Sequence, residues 1–210
     1  MSGADPGPDE VEEVVGLDGR ELLIVRPRDS EALLDEEAFE QEELLPYWAE
    51  LWPSALALAR AVGGRALHRA RVLELGCGLG LPAIAAALAG GRVTATDWSA
   101  DAIAFTARNA ARNGAAVRTA VVSWAEADPL LAQAPWDLVL GSDLLYERRN
   151  VPLLLDLLPR LVGERGAVWI ADPGRASAAD FLERAAERFD VRSTPDPAGP
   201  RVQVHRLHPR

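Results

Sequence analysis

The sequence predicts an α/β domain built around a mostly parallel sheet, and three observations carry that prediction. Residues 72–75 form an apolar run broken only by Glu74, and they lead into Gly76-Cys77-Gly78-Leu79-Gly80. A buried strand therefore ends in a glycine-rich turn that opens a helix at Leu81-Pro82. Residues 83–89 are small and apolar, and 92–96 read as a second strand with Asp97 at its tip, which completes a strand-helix-strand unit. Further strand-like runs at 116–122, 136–142 and before Asp172 alternate with helix-length segments, the pattern of a sheet covered on both faces.

Taken in order, residues 1–13 are polar and acidic with two prolines and are expected to form a disordered tail, leaving 14–210 as one domain. Within that domain, 14–64 are expected to hold an N-terminal hairpin and an aromatic segment, ahead of a core over 65–210. The hairpin spans 14–25 and turns at Asp18-Gly19. Asp29-Ser30 begins a short acidic helix through about Phe39. Tyr47, Trp48 and Trp52 then fall within six residues, just before a helix over 54–62. On composition alone they read as a hydrophobic plug at the helix entrance.

The glycine turn is the chemical centre. Glycine brings backbone against a ligand with no Cβ in the way, and the helix that follows aims unpaired N–H groups at the same spot. The Gly-x-Gly-x-Gly spacing differs from the dinucleotide Gly-x-Gly-x-x-Gly, which disfavours a nicotinamide-dependent oxidoreductase. At the second strand's tip, Asp97 is placed to accept hydrogen bonds from ribose hydroxyls, with Trp98 as a flat wall for a purine. The competing role for Asp97 is to cap the next helix, although Ser99 is the better cap. Cys77, the only cysteine, reads as a small packing residue.

The 210 residues fit a single domain with a sizeable core, 49% of them being apolar. No stretch is long and uniform enough to span a membrane, and the N-terminus lacks signal-peptide character, so a cytoplasmic protein is expected. The net charge of −10 argues against nucleic acid as a substrate and favours a neutral or basic partner. All 22 basic residues are arginine and none is lysine.

Glu-Leu-Gly-Cys-Gly-Leu-Gly, followed by an acid after the second strand, resembles the cofactor motif of class I S-adenosylmethionine-dependent methyltransferases. The resemblance implies a Rossmann-like seven-stranded sheet with helices on both faces and the last strand antiparallel. It also implies that Gly76, Cys77, Gly78 and Gly80 line the methionine part of S-adenosyl-L-methionine, with Glu74 just before the turn and Asp97 at the ribose. Pro-Tyr-Trp-Ala and Leu-Trp-Pro-Ser are similar to a signature of the seven-strand protein lysine methyltransferases, methyltransferase family 16. In that branch the segment forms part of the pocket's lid and wall, a role that passes here to Trp48 and Trp52, with Tyr47 on the substrate side. Trp124, just after the third strand, is then a candidate for contact with adenine, with a core position as the alternative. Ser142 closes the fourth strand against the cofactor.

Asp143 and Tyr146 follow at that strand's carboxyl end, the edge where open α/β sheets bind ligands. Asp-x-x-Tyr there resembles the catalytic motif of the same branch, in which the acid and the aromatic ring receive an amine. Helix capping is the bland role for Asp143. Asp172-Pro173-Gly174-Arg175 follows strand five and leads into a helix over 178–189. As composition it is a turn. It also resembles a motif of the lysine methyltransferases that act on the β-subunit of electron-transfer flavoprotein, which puts Asp172 and Arg175 at the substrate rim.

The implied reaction is methylation of a lysine amine on a protein substrate by a monomer, with no metal, nucleic acid or membrane involved. The alternatives are a small-molecule N-methyltransferase with a nicotinamide-like acceptor and a cofactor-binding scaffold without catalysis. The remaining segments, 190–193 and 201–207, read as closing strands joined by a proline-rich loop. His205 and His208 lie on or beyond an edge strand and His68 precedes the first core strand, and none reads as catalytic.

Overall fold

The computed structural model describes residues 7, 9–17, 19–30 and 46–210. Seven strands form the sheet, in the order β5-β4-β3-β6-β7-β9-β8. They are β3 (Arg71–Leu75), β4 (Arg92–Asp97), β5 (Val117–Val121), β6 (Trp136–Ser142), β7 (Val162–Asp172), β8 (Phe189–Asp196) and β9 (Gly199–Pro209). All the core pairings are parallel except those of β9, which runs antiparallel to both β7 and β8. The expected antiparallel last strand is therefore present, but it is inserted between its neighbours and leaves β8 at the edge. His205 consequently sits inside the sheet rather than at its margin. Its ring contacts Ser193 Oγ at 2.7 Å, and burial pushes its pKa down.

The proline-rich stretch expected as a loop is the tip of this β8–β9 pair. Pro195 is tolerated because β8 is an edge strand, where a missing N–H costs no interior ladder bond.

Helices α1 (Pro53–Gly63), α2 (Leu81–Leu88) and α3 (Ala100–Arg112) lie on one face, and α5 (Asn150–Leu161) and α6 (Ala176–Ala185) cover the other. The single-turn α4 (Asp128–Leu131) precedes β6. Two apolar clusters result. One joins α1 and α2 to the sheet through Leu58, Val62, Ile84 and Leu140, and the other joins α5 and α6 to it through Leu73, Val139, Leu154 and Phe181. Strands β3 and β6 are neighbours, yet the chain proceeds from β3 outward to β5 and from β6 outward to β7. That reversal opens a crevice at the carboxyl ends of the strands, the position where open α/β sheets take their ligands.

The hairpin consists of β1 (Glu10–Leu17) and β2 (Arg20–Pro27), paired from Glu10↔Pro27 to Leu17↔Arg20. It begins four residues earlier than expected, so Glu10 to Glu13 belong to a strand rather than to a tail. Asp18 at the expected turn, the expected helix from Asp29-Ser30 beyond Ser30, and most of the expected tail lie outside the described residues.

Two amides, Asn109 on α3 and Asn113 at its C-cap, hold the hairpin to the core. Asn113 accepts from Leu23 N at 2.9 Å and donates to Leu23 O at 2.8 Å. Asn109 accepts from Val25 N at 2.9 Å and donates to Val25 O at 3.0 Å. One helical turn apart, the two side chains imitate a neighbouring strand and satisfy β2 where no strand is present.

Candidate functional site

The crevice contains a cavity of about 340 Å³, within the range of small-molecule sites. Its floor is the glycine turn. Gly76, Gly78 and Gly80 all have positive φ, at 61°, 52° and 80°. A Cβ on Gly76 would lie 2.8 Å from Leu144 Cδ2, and one on Gly80 would lie 2.7 Å from Thr106, so both positions need glycine for space as well as for conformation.

The turn is braced from α3. Thr106 Oγ1 donates to Gly78 O at 2.8 Å, and Asn109 Nδ2 donates to Leu79 O at 3.1 Å. Neither residue stands out in the sequence. The only sign is that both fall on the buried stripe of an amphipathic helix, where a polar side chain needs an internal partner.

Asp97 lines the cavity at the tip of β4, with Trp98 beside it 49% exposed. Asp97 Oδ2 accepts from Gly78 N at 3.0 Å and Oδ1 from Ser99 N at 3.0 Å. Ser99, not Asp97, caps α3, its Oγ accepting from Ala102 N. An ionised carboxyl has about four lone-pair sites, so Asp97 keeps acceptor capacity toward the cavity. Burial pushes its pKa up against these two bonds.

Glu74 differs from its expected place. It does not line the cavity: it is fully buried behind the turn, and Oε2 accepts from Ala83 N at 2.9 Å at the start of α2. Burial, with Asp97 nearby, holds its pKa well above the usual carboxylate range. Cys77 lines the cavity, but its sulfur is turned toward α3, 3.4 Å from Thr106 Oγ1. Burial and the neighbouring carboxyls raise the thiol pKa, which disfavours a thiolate nucleophile.

One wall is the aromatic segment, where Tyr47–Ala49 form a 3-10 turn ahead of α1. Trp52 Nε1 donates to Tyr47 O at 2.7 Å, fixing the indole across the segment. Trp48 packs on Phe105 of α3, with ring centroids 5.3 Å apart. Tyr47 stands 5.5 Å from Tyr146 and 6.2 Å from Trp52 at steep angles, so three rings frame the mouth. The Tyr146 side chain is 42% exposed, and its phenol pKa is raised by partial burial and by Glu147. Trp124 lines the cavity and also packs against the apolar cluster under α5.

Asp143 follows Ser142 off β6, and both line the cavity. Its φ of 56° is unusual for a residue with a side chain, although Asp tolerates it better than most. Asp143 N donates to Ala171 O at 2.9 Å, anchoring this kink to β7. It caps no helix, since α5 begins only at Asn150.

Arg175 Nη1 donates to Asp143 Oδ1 and lies 3.4 Å from Asp172 Oδ2. Asp143 Oδ2 is buried and has no hydrogen-bond partner. Asp172, expected at the rim, is instead fully buried behind it. Its Oδ1 accepts from Gly174 N at 2.7 Å and Arg175 N at 2.8 Å, so it shapes the turn and faces the guanidinium without reaching the cavity. Glu50, Leu51 and Glu147 also line the cavity and were not singled out in the sequence. Among the described residues no cluster of three or more metal-ligating side chains occurs, and no helix is long and apolar enough to cross a membrane.

Comparison with known proteins bears on the fold and the family. The fold is shared with a ribosomal protein L11 methylase from Lactobacillus delbrueckii, at TM-score 0.59 and 23% identity over 75% of this chain and 78% of that one. It is shared as well with a TehB-like S-adenosylmethionine-dependent methyltransferase from Corynebacterium glutamicum, at TM-score 0.57 and 19% identity over 83% and 96%. In sequence the chain is 35% identical over 152 residues to the EEF1A lysine methyltransferase 3 of Mus musculus, covering 70% of this chain and 62% of the relative. It is 34% identical over 151 residues to the protein N-lysine methyltransferase METTL21A of Danio rerio (68% and 69%), and 35% identical over 158 residues to that species' electron transfer flavoprotein beta subunit lysine methyltransferase (72% and 59%). The chain thus spans about three fifths to two thirds of the length of these relatives. A lysine methyltransferase family model matches residues 37–188, and the chain belongs to that family.

Proposed function

We propose that the chain transfers a methyl group from S-adenosyl-L-methionine to the ε-amine of a lysine on a protein. The observation that carries this reading is the unpartnered oxygen of Asp143. A buried carboxylate oxygen without a donor costs free energy, and it belongs to a residue that lines the cavity, where an entering ligand can bring that donor. A lysine amine brings N–H groups, whereas the pyridine nitrogen of a nicotinamide-like acceptor brings none. The mouth framed by Tyr47, Trp52 and Tyr146 suits a long alkyl amine reaching in from a protein surface.

The cavity fits the cofactor by its own features: a backbone turn at Gly76, Gly78 and Gly80 whose positive φ angles and close neighbours leave no place for side chains, and spare acceptor capacity on Asp97. In this reading the turn and Cys77 hold the methionine part, and Asp97 takes the ribose hydroxyls. Trp98 and Trp124 flank the base, Ser142 borders the sulfonium side, and Trp48 and Trp52 close the wall. Glu74 acts from behind by fixing the start of α2. When bound, S-adenosyl-L-methionine supplies a methyl group on a positively charged sulfur.

The chain's own residues must present a neutral amine in line with that methyl and keep water out. Asp143 Oδ2 accepts an N–H hydrogen bond from the amine and so aims its lone pair. The aromatic mouth desolvates the amine, whose unperturbed pKa is about 10.4, and so favours release of its extra proton to solvent. The rest of the reading is a monomer acting on a neutral or basic protein in the cytoplasm, without nucleic acid or membrane. The net charge of −10 and the four carboxylates lining the cavity support the choice of partner.

The test is to incubate the protein with methyl-labelled cofactor and a lysate of its own source, then separate labelled proteins from labelled metabolites. A discrete labelled protein, with the methyl mapped to lysine by mass spectrometry, is the expected result. Label confined to small molecules would move the assignment to a metabolite methyltransferase. Cofactor binding with no transfer at all would leave a scaffold.

A further inference from the structure

Four carboxylates line the cavity, Glu50, Asp97, Asp143 and Glu147, and against them stands one cationic lining side chain among the described residues, Arg175. Its place is not that of a residue reaching out toward a substrate. The guanidinium is paired with Asp143 Oδ1, and Asp172, fully buried, faces it from behind while bonding its backbone N–H. Asp143 Oδ1 is thus occupied, and Oδ2 is the one oxygen of this cavity-lining carboxylate without a partner.

That arrangement addresses a conflict inherent in methylating an amine. A carboxylate beside an ammonium orients it but also stabilises its charged form, which has no lone pair to react. We infer that Arg175, held by Asp172, is a positioning residue that shares the charge of Asp143, so that Oδ2 aims the acceptor amine without locking it as an ammonium. The inference rests on the reading of Asp143 given above and extends it: the acceptor is recognised as an amine that must lose its charge, not as a permanent cation. Asp172 acts only through Arg175.

The two residues differ in the sign of their effect, which a merely structural role would not reproduce. The probe is sinefungin, an analogue in which an amine-bearing carbon replaces the methylsulfonium, compared with S-adenosylhomocysteine, which has no such amine. Calorimetry at neutral pH gives the ratio of their affinities. In the unaltered protein sinefungin is expected to bind more tightly, because its ammonium meets Asp143. Arg175→Met removes a neighbouring cation and should raise that preference by about tenfold, the scale of one unit charge at roughly 6 Å in a partly solvated site. Arg175→Lys should stay near the original ratio. Asp172→Asn, which keeps an acceptor for the Gly174 and Arg175 N–H groups, should lower the preference. S-adenosylhomocysteine should bind all four proteins within about threefold of one another.

A preference that is unchanged or reduced in Arg175→Met overturns the inference while leaving the amine reading of Asp143 in place. Loss of S-adenosylhomocysteine binding in Arg175→Met or Asp172→Asn also overturns it, since the pair would then be supporting the cofactor wall. No sinefungin preference in the unaltered protein would instead contradict the amine reading itself.

Discussion

At the scale of single residues, the site depends on side chains that are missing, buried or only half satisfied. Gly80 shows the first case. Its φ of 80° and the 2.7 Å that would separate a Cβ from Thr106 mean that Gly80→Ala must both strain the backbone and displace a hydroxyl bonded to Gly78 O. The expected cost is about 1–3 kcal/mol of stability together with weaker S-adenosylhomocysteine binding, measured by thermal unfolding and calorimetry. Glu74 shows the second case. Its pKa is raised above 4.5 by burial, so the folded state holds its proton at pH values where the unfolded chain has released it. The stability this contributes is complete below about 4.5 and is lost as pH rises through the higher folded value. Glu74→Gln can still accept from Ala83 N and carries no titrating group, so the variant should gain melting temperature relative to the parent as pH rises from 4.5. Parallel curves would refute the assignment. The sequence placed Glu74 and Asp172 next to the site, but it did not show that both point behind it. Facing is decided by strand register and turn geometry, and the left-handed kink at Asp143 leaves no trace in composition.

At the scale of elements, α3 does more than cover the sheet. Through Asn109 it joins the hairpin at Val25 to the glycine turn at Leu79. Asn109→Ala would orphan the Val25 N–H and two carbonyls, a loss of about 2–4 kcal/mol if they stay buried. Hydrogen exchange should then accelerate at Val25 and its β2 neighbours, and cofactor-analogue binding should weaken. Protection at Val25 equal to that of the parent would contradict the clasp. Strands β3 and β6 were legible because each is a largely apolar run closed by a turn signal. The start of the hairpin was not, because Glu10 and Glu12 look like a tail until Arg108 and Arg112, about a hundred residues later, arrive to pair with them. The insertion of β9 beside β7 was equally hidden, since strand order within a sheet is a property of long-range pairing. Pro195 argued for a loop and was overruled by the edge position of β8.

At the scale of the whole molecule, one reversal of strand order gathers residues from 47 to 175 at a single crevice. The glycine turn arrives from β3, Asp97 from β4, Asp143 and Tyr146 from β6, Arg175 from the end of β7, and the aromatic wall from ahead of α1. Each of these motifs could be read in the sequence, whereas their common placement is a consequence of topology. Tyr47 and Tyr146 at the mouth are each 42% exposed, so the cavity opens to solvent between them. The central claim is that Asp143 Oδ2 receives the acceptor amine at that open side. The most direct measurement replaces Asp143 with Ala and follows, in one preparation, S-adenosylhomocysteine affinity by calorimetry and transfer of labelled methyl to lysate protein. The account predicts transfer reduced on the order of 10- to 100-fold, the worth of a hydrogen bond to a charged group, with cofactor-analogue affinity held within about threefold. Undiminished transfer, or a loss of cofactor-analogue binding equal to the loss of transfer, would contradict it.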